Sequence, residues 1–234
     1  VANSAGGDAE SSLLTSSSDS KRVLLVIVTS DRGLCGGFNS SIAKLARQHA
    51  NDLIAAGKTV KIVTVGKKGR DVIRRDLGQH FIDHVDMTEV KRVGYDDARS
   101  IAQNLLARFD SGEFDVATLF FSEFVNVVTQ IPTAQQIIPA AYDSGGGESA
   151  AFYDYEPDEA TILADLLPRG VATQIFAALL ENGASEQGAR MSAMDNATRN
   201  SGEMIDKLTI EFNRSRQAVI TNELIEIISG AEAL

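Results

Sequence analysis

The C-terminal part of this chain is a helical run much longer than a globular domain requires, and it constrains the fold more than any other feature. No proline occurs from Gly170 to Leu234. Residues suited to a helix–helix seam recur there at alternating spacings of three and four: Met191, Met194, Thr198, Ser201, Ile205, Leu208, Phe212, Ser215 and Val219. This is a heptad pattern, typical of a helix that supercoils against a partner helix. With a rise of about 1.5 Å per residue, about sixty residues would form a rod of roughly 90 Å. No upstream segment is long enough to pair with it, so we expect half of a coiled coil.

Composition limits what the rest of the chain can do. The length of 234 residues and a hydrophobic content of 44% fit one α/β domain plus an extension. A net charge of −10 argues against nucleic acid as a partner, because phosphate neutralisation needs an excess of Lys and Arg. No apolar run approaches the roughly eighteen residues of a membrane span, so we expect any membrane link to go through partners. Because the first residue is Val1, we expect a truncated or processed chain.

Three segments are predicted. Residues 1–21, rich in Ser and Gly, are interpreted as a flexible linker, and 22–157 as an α/β central domain. Residues 158–234 are interpreted as a helical shaft, with a break or kink at Pro168. Within the central domain we predict strands at 23–30, 59–65, 80–86, 116–122 and 129–139, and helices at 39–56, 67–76 and 96–110. The predicted fold class is α/β, a Rossmann-like and mostly parallel sheet followed by a long coiled-coil helix.

Local signals refine two of these elements. Asn39 and Ser40 are the expected N-caps of the first helix, since both residue types accept hydrogen bonds from free helix N–H groups. Pro132 and Pro139 would each remove a donor from a central strand, so the strand at 129–139 is predicted to lie at an edge of the sheet.

A glycine-rich turn follows the first strand, where nucleotide-binding folds hold phosphate. Gly33, Gly36 and Gly37 fit neither the dinucleotide fingerprint nor the P-loop. The second strand ends at Gly66 and Lys67, where a dinucleotide site would need an acidic residue. We therefore interpret the three glycines as a structural turn, in which a Cβ at Gly36 or Gly37 would obstruct close packing.

Other candidate sites are weak. The basic run at 66–70 is interpreted as a solvated face, with an anion or partner contact as the alternative. His80 and His84 are predicted on one face of a strand, with Asp86 nearby, and exposed edge residues explain them as well as a metal site does. Cys35 has no histidine near it in sequence and is expected to be buried or in a turn. No catalytic residue, metal ligand or cofactor-binding residue emerges.

Three motifs resemble one family closely. The segment at 30–39 (SDRGLCGGFN) is similar to the central-domain signature of the γ subunit of F-type ATP synthases. The segments at 184–198 (ASEQGARMSAMDNAT) and 213–230 (NRSRQAVITNELIEIISG) are similar to the C-terminal helix of that subunit. The resemblance covers about residues 22–234, with the motifs in the family's order.

The resemblance implies a central rotor shaft that is not itself catalytic and binds no cofactor. It implies torque transfer between the proton-driven ring of c subunits in the membrane and a surrounding ring of α and β subunits, with the ε subunit bound to the α/β domain. It implies that Arg190, Arg216, Gln217 and Thr221 contact the stator ring. It also implies that the helix after Gly37 faces a lever-like region of β. The chain departs from the family in lacking the N-terminal helix, the expected partner of the seam, and the cysteine-bearing insertion of chloroplast members.

The implied location is the cytoplasmic face of a bacterial plasma membrane, held peripherally, with the mitochondrial inner membrane as the alternative. A nucleotide-binding α/β enzyme with an oligomerising helical tail remains the alternative function. A coiled-coil adaptor is the third hypothesis. Stoichiometric binding of ATP or NAD by the isolated chain would favour the enzyme.

Overall fold

The computed structural model describes residues 20–139 and 159–232. Its elements alternate in the predicted order: β1 (Arg22–Val28), α1 (Phe38–Ala55), β2 (Thr59–Val65), α2 (Lys67–Leu77), β3 (Phe81–Val85), α3 (Tyr95–Asp110), β4 (Val116–Phe124), β5 (Gln130–Ile138) and α4 (Glu159–Glu232). A short 3₁₀ turn, Gly78–His80, joins α2 to β3. Most of the predicted linker at 1–21 and the loop predicted at 142–157 lie outside the described residues.

The five strands form one sheet in the order β3-β2-β1-β4-β5. The first four of these strands are parallel, and β5 runs antiparallel to β4. The Rossmann-like, mostly parallel fold class is therefore confirmed. The edge position of β5 is also confirmed: Pro132 pairs with Ser122 of β4, and no other strand among the described residues pairs with the far side of β5.

Helices cover both faces of the sheet, and β1 shows how the sequence produces this. Its apolar run is buried on both sides, as a central parallel strand requires. Leu24, Val26 and Val28 join the core formed with α3 and the first part of α4. The intervening Val23 and Ile27 join the core formed with α1 and α2. Successive side chains of a strand point to opposite faces, so one apolar run supplies both cores.

The helix α4 continues through Pro168, so a break there is wrong, while a kink at Pro168 stays a prediction. An interior proline costs about 3 kcal/mol, because it removes a hydrogen bond and crowds the preceding turn. On the face that packs on the sheet, however, buried apolar residues recur at helical spacing on both sides of the proline: Leu163, Leu167, Val171, Ile175 and Leu179. Each such burial contributes about 1.5–3 kcal/mol. Packing therefore outweighs the local cost.

Contacts divide the chain into two compact units, Val1–Met191 and Ser192–Leu234. The first part of α4 therefore belongs with the sheet, whereas the sequence analysis placed all of 158–234 in the shaft. The reason is the apolar face just described, which is buried in the core shared with α3.

Candidate functional site

The carboxyl ends of β1 and β4 meet at a topological switch point. From β1 the chain leads to α1 on one face, whereas β4 is entered from α3 on the other face. Open α/β sheets bind ligands in the crevice outside such a point. What fills this crevice therefore decides whether the fold can act as a nucleotide-binding domain.

Side chains of α4 fill it. The pairing of β1 with β4 ends at Phe120, which leaves the backbone of Ser122 and Phe124 beyond the end of β1. The Ser122 N–H donates to Asn182 Oδ1 at 3.3 Å, and Ser185 Oγ donates to the Ser122 carbonyl at 3.0 Å. The Phe124 N–H donates to Glu181 Oε2 at 2.7 Å. We call these three helix residues, Glu181, Asn182 and Ser185, the α4 anchor. Two of its members are deeply buried, since Asn182 is 4% exposed and Ser185 is 0% exposed.

One turn further along, α4 runs close against the β4–β5 hairpin. A Cβ at Gly188 would lie 3.2 Å from the Phe124 ring and 3.4 Å from Val127 Cα. Arg190 forms an ion pair with Glu186, and its Nη2 lies 3.5 Å from the carbonyl oxygen of Gly33. The helix thus passes from the end of β4 to the glycine-rich loop after β1.

That loop is closed by a polar cluster of the buried Ser30 and Cys35 with the half-buried Asn39. The Ser30 N–H donates to Asn39 Oδ1 at 3.0 Å, and Asn39 Nδ2 donates to Ser30 Oγ at 2.8 Å and lies 3.2 Å from Cys35 Sγ. Cys35 is buried, as expected. The prediction that Asn39 and Ser40 cap α1 is wrong. The helix begins at Phe38 with Gly37 at the N-cap, because the Asn39 side chain is used to close the loop.

The glycines of the loop differ in what they require. Gly36 has φ 56°, a left-handed conformation that favours glycine. Gly37 has φ −82°, and a Cβ there would meet only Ser40 Oγ at 3.9 Å, so the predicted obstruction is not present within the chain. A Cβ at Gly33 would likewise meet nothing within 4 Å. Leu34 adopts φ 62° although it is not glycine, and its side chain is 77% exposed. The loop, whose backbone is held by the hydrogen bonds between Ser30 and Asn39, therefore exposes the apolar side chain of Leu34 to solvent.

Two glycines of the run at 66–70, for which no structural role was predicted, are required at the start of α2. Gly66 has φ 87°, and a Cβ on it would lie 2.2 Å from the carbonyl oxygen of Thr29. A Cβ on Gly69 would lie 2.7 Å from two side-chain atoms of Thr29. The interruption of the apolar strand by Gly66 is the only sequence signal for this packing.

The N–H groups in the first turn of α2 already donate hydrogen bonds to acceptors within this chain. The Lys67 N–H donates to Asp31 Oδ1 at 2.9 Å, and the Gly69 N–H donates to Thr29 Oγ1 at 2.8 Å. The Lys68 N–H donates to the Ser30 carbonyl at 3.0 Å. A helix N-terminus binds phosphate through such free N–H groups. The start of α2 therefore has no donors to offer a phosphate at these positions.

The prediction that His80 and His84 share one face of a strand is wrong, because only His84 lies in a strand. His80 lies in the 3₁₀ turn and not in a strand, with Nδ1 3.1 Å from the Val60 carbonyl oxygen. His84 lies in β3, with Nδ1 2.9 Å from Thr64 Oγ1. Among the residues that the structure describes, no group of three His, Cys, Asp or Glu side chains could hold a metal ion.

The amino end of the sheet is fastened by ion pairs. Arg22 at the start of β1 donates two side-chain hydrogen bonds to the Asp115 carboxylate, which precedes β4. These hydrogen bonds, followed by the positive charge of Arg22, hold the pKa of Asp115 below its usual value against the effect of burial. The Lys61 side chain hydrogen-bonds to the Glu113 carboxylate, and this bond together with the positive charge of Lys61 lowers the pKa of Glu113.

The second unit exposes its heptad seam. The apolar seam residues from Met191 to Val219 are 40–66% exposed in this chain, and Thr198, Ser201 and Ser215 are exposed as well. Arg216, Gln217 and Thr221 are also exposed. A further apolar group beyond the seam was missed: Ile220, Leu224, Ile225, Ile227 and Ile228. Four of these residues form an apolar stripe along one side of the helix, and the sequence shows it as spacings of four, three and one between Ile220, Leu224, Ile227 and Ile228.

One helical stretch, 161–231, contains an 18-residue window apolar enough to cross a membrane by length and composition. Its mean hydropathy is 1.3, and 39% of the window is buried inside the chain. A core helix of a soluble protein passes the same test. The window is therefore weak evidence for a membrane span.

Comparisons with known proteins agree on one family. A family model described as ATP synthase matches residues 1–234. The chain is 73% identical over 228 residues to a protein named ATP synthase gamma chain from Ruegeria sp. (strain TM1040), covering 97% of this chain and 78% of that protein.

Two solved structures share the fold. One is the central stalk and c-ring of the Tetrahymena thermophila mitochondrial ATP synthase, with a TM-score of 0.64, 25% identity and coverage of 79% of this chain and 80% of that one. A chain of the Euglena gracilis mitochondrial ATP synthase matches with a TM-score of 0.72, 21% identity and coverage of 92% and 73%.

Proposed function

We infer that this chain, which belongs to the family of ATP synthase gamma chains, is the central-stalk subunit of an ATP synthase and works as its rotor. It is a non-catalytic subunit of that complex. The finer statements below, on its individual partners, contact residues and membrane face, are our proposals.

The observation that carries the proposal is the exposed helix of the second unit. The apolar residues of this helix from Met204 through Ile228 are 47–69% exposed, and covering that surface would lower its free energy in water. The heptad spacing favours a second helix as the cover along one side. We propose that the family's N-terminal helix covers the seam. We further propose that the α and β subunits enclose the remaining surface.

Polar residues on the same helix suit a contact that must break and re-form. Gln217 and Thr221 lie one helical turn apart on one face, and Arg216 lies beside them. A guanidinium binds a carboxylate with directional hydrogen bonds, which favour one orientation without a large apolar contact. We propose that these three residues contact the β subunits at particular angles of rotation.

Arg190 has a different setting from those three. It is paired with Glu186 and approaches the backbone of the glycine-rich loop, so part of its role is to hold that loop against α4. The loop in turn exposes Leu34. We propose that Arg190, the Leu34 loop and the first turns of α1 together form a second contact with the stator ring.

The crevice geometry argues against the alternative of a nucleotide-binding enzyme. Asn182 and Ser185 occupy the switch point, and the first N–H groups of α2 are bonded to Thr29, Ser30 and Asp31. A nucleotide would have to displace these contacts. The fold of a dinucleotide-binding domain is therefore used here to hold a helix.

The chain's place is in a membrane-associated ATP synthase complex. We propose that it is peripheral, on the cytoplasmic face of a bacterial plasma membrane, bound to the ε subunit and the c ring through the α/β unit. The high identity to a bacterial gamma chain supports the bacterial setting over the mitochondrial one.

Reconstitution tests the proposed function. ATP synthase complexes assembled without the gamma chain are supplied with this chain and the family's N-terminal helix in membrane vesicles, and ATP-driven proton uptake is measured. We expect uptake to be restored, with no binding of ATP to the isolated subunit. ATP bound stoichiometrically by the isolated subunit, with no restored uptake, would contradict the proposal.

A further inference from the structure

We propose that the α4 anchor is a torque-bearing joint: Glu181, Asn182 and Ser185 lock α4 to β4, so that rotation of the helix turns the α/β sheet with it. This inference rests on the proposed rotor function and adds to it the residues that carry the load within the first unit.

The anchor lies where the helix can be gripped most firmly. Its partners are backbone groups of Ser122 and Phe124, in a strand that β1 pairs up to Phe120 and that β5 pairs through Phe124. Backbone atoms of a central strand cannot swing away as surface side chains can. A load applied to α4 at this point therefore meets the rigid part of the sheet.

The chemistry of the anchor suits resistance to twisting. Apolar contacts such as those of Ile175 and Leu179 hold the helix on the sheet but are non-directional, so they fix its angle less sharply than hydrogen bonds do. Hydrogen bonds weaken steeply as they bend away from linearity. Three of them, made from positions 181, 182 and 185 on one turn, oppose both rolling about the helix axis and sliding along it.

The anchor also explains why these polar residues are buried at all. β1 stops short of Ser122 and Phe124, so two backbone N–H groups and one carbonyl of β4 would otherwise lack strand partners. Buried backbone groups without partners are costly. The α4 side chains take the place of a strand partner for these β4 backbone groups. Breaking the contact between α4 and β4 therefore also breaks backbone hydrogen bonds of the sheet.

The test uses substitutions made in the assembled ATP synthase. Ser185→Ala and Glu181→Ala each remove one bond to β4, and Glu181→Gln keeps an acceptor oxygen for the Phe124 N–H. Thr173→Ala is the matched control. It also deletes a hydroxyl from α4, but that hydroxyl donates only to the Arg169 carbonyl within the same helix.

Two readouts are measured on complexes purified in equal amount. The first is hydrogen exchange of the peptide that contains the Ser122 and Phe124 amides. The second is the number of protons pumped per ATP hydrolysed. Loss of one such bond raises the population of the opened joint about fivefold.

We expect Glu181→Ala and the Glu181→Ala/Ser185→Ala double variant to speed exchange of that peptide about fivefold or more. We expect both variants to lower the pumping ratio while hydrolysis continues. Glu181→Gln should restore most of the ratio, and Thr173→Ala should match the unmodified complex in both readouts.

Faster hydrogen exchange with an unchanged number of protons pumped per ATP would overturn the proposal that the anchor bears torque. The anchor would then be a contact that only stabilises the fold. Unchanged exchange would overturn the assigned bonds themselves. Failure of the rotor function is separately visible, because the unmodified subunit would then support no ATP-driven pumping.

Discussion

Gly66→Ala is the substitution for which the structure gives the most definite energetic expectation. Gly66 connects β2 to α2 with φ 87° and ψ 144°, a combination open almost only to glycine. Holding another residue there costs about 1–3 kcal/mol. In addition, its Cβ would lie 2.2 Å from the carbonyl oxygen of Thr29, which is backbone and cannot rotate away.

The start of α2 must therefore move, and the displacement weakens the hydrogen bonds from Lys67, Lys68 and Gly69 to the segment after β1. With about 1 kcal/mol for each of the three weakened bonds added to the backbone strain, the total destabilisation is about 4–6 kcal/mol. For a chain of this size, this corresponds to a decrease of roughly 8–24 °C in melting temperature.

Thermal and urea unfolding of the chain, followed by circular dichroism, measures this effect. Gly37→Ala is the matched control, since Gly37 has an ordinary φ of −82° and space for a Cβ, and we expect a change within about 1 kcal/mol. A Gly66→Ala variant as stable as Gly37→Ala would refute the reasoning from backbone geometry.

Three further predictions concern the shaft and the sheet. Leu208→Ala or Phe212→Ala should weaken pairing with the partner helix by about 2–5 kcal/mol, measured as dissociation of the complex, and leave the stability of the isolated chain unchanged because both side chains are exposed there. Arg216→Ala combined with Gln217→Ala should lower ATPase turnover of the reconstituted complex with the α/β unit still folded; unchanged turnover would exclude their proposed role. Asp115→Asn should destabilise the chain at neutral pH. Because the pKa of Asp115 is lowered in the folded state, its contribution is present above the ordinary value of 3.8 and is lost as pH falls through the lowered pKa, so urea unfolding should show the two proteins converging in acid.

The strands and their order of appearance could be predicted from sequence because each is a short apolar run whose period and length are local properties. The edge position of β5 was predictable for the same reason, since Pro132 lacks a backbone donor wherever it lies. The exposed seam was predictable because its heptad spacing has no partner segment in the chain.

What could not be predicted depends on contacts between distant residues. The need for glycine at Gly66 arises from Thr29, 37 positions earlier, and the local sequence shows a glycine that ends the strand but not the residue it approaches. The α4 anchor joins Ser185 to Ser122, 63 residues away. Pro168 was misinterpreted because the apolar stripe that keeps its helix intact is stabilised by the sheet and not by the helix itself.

Rotation of the α/β unit during ATP hydrolysis is the direct test of the proposed rotor function. Lys91 lies exposed in the loop between β3 and α3, and the sole cysteine, Cys35, is buried, so Lys91→Cys provides a single accessible thiol for a rotation probe. In complexes immobilised through the stator ring, we expect the probe to turn continuously in one direction whenever ATP is hydrolysed and to stop when hydrolysis is inhibited. Sustained hydrolysis with a stationary probe would contradict the rotor function.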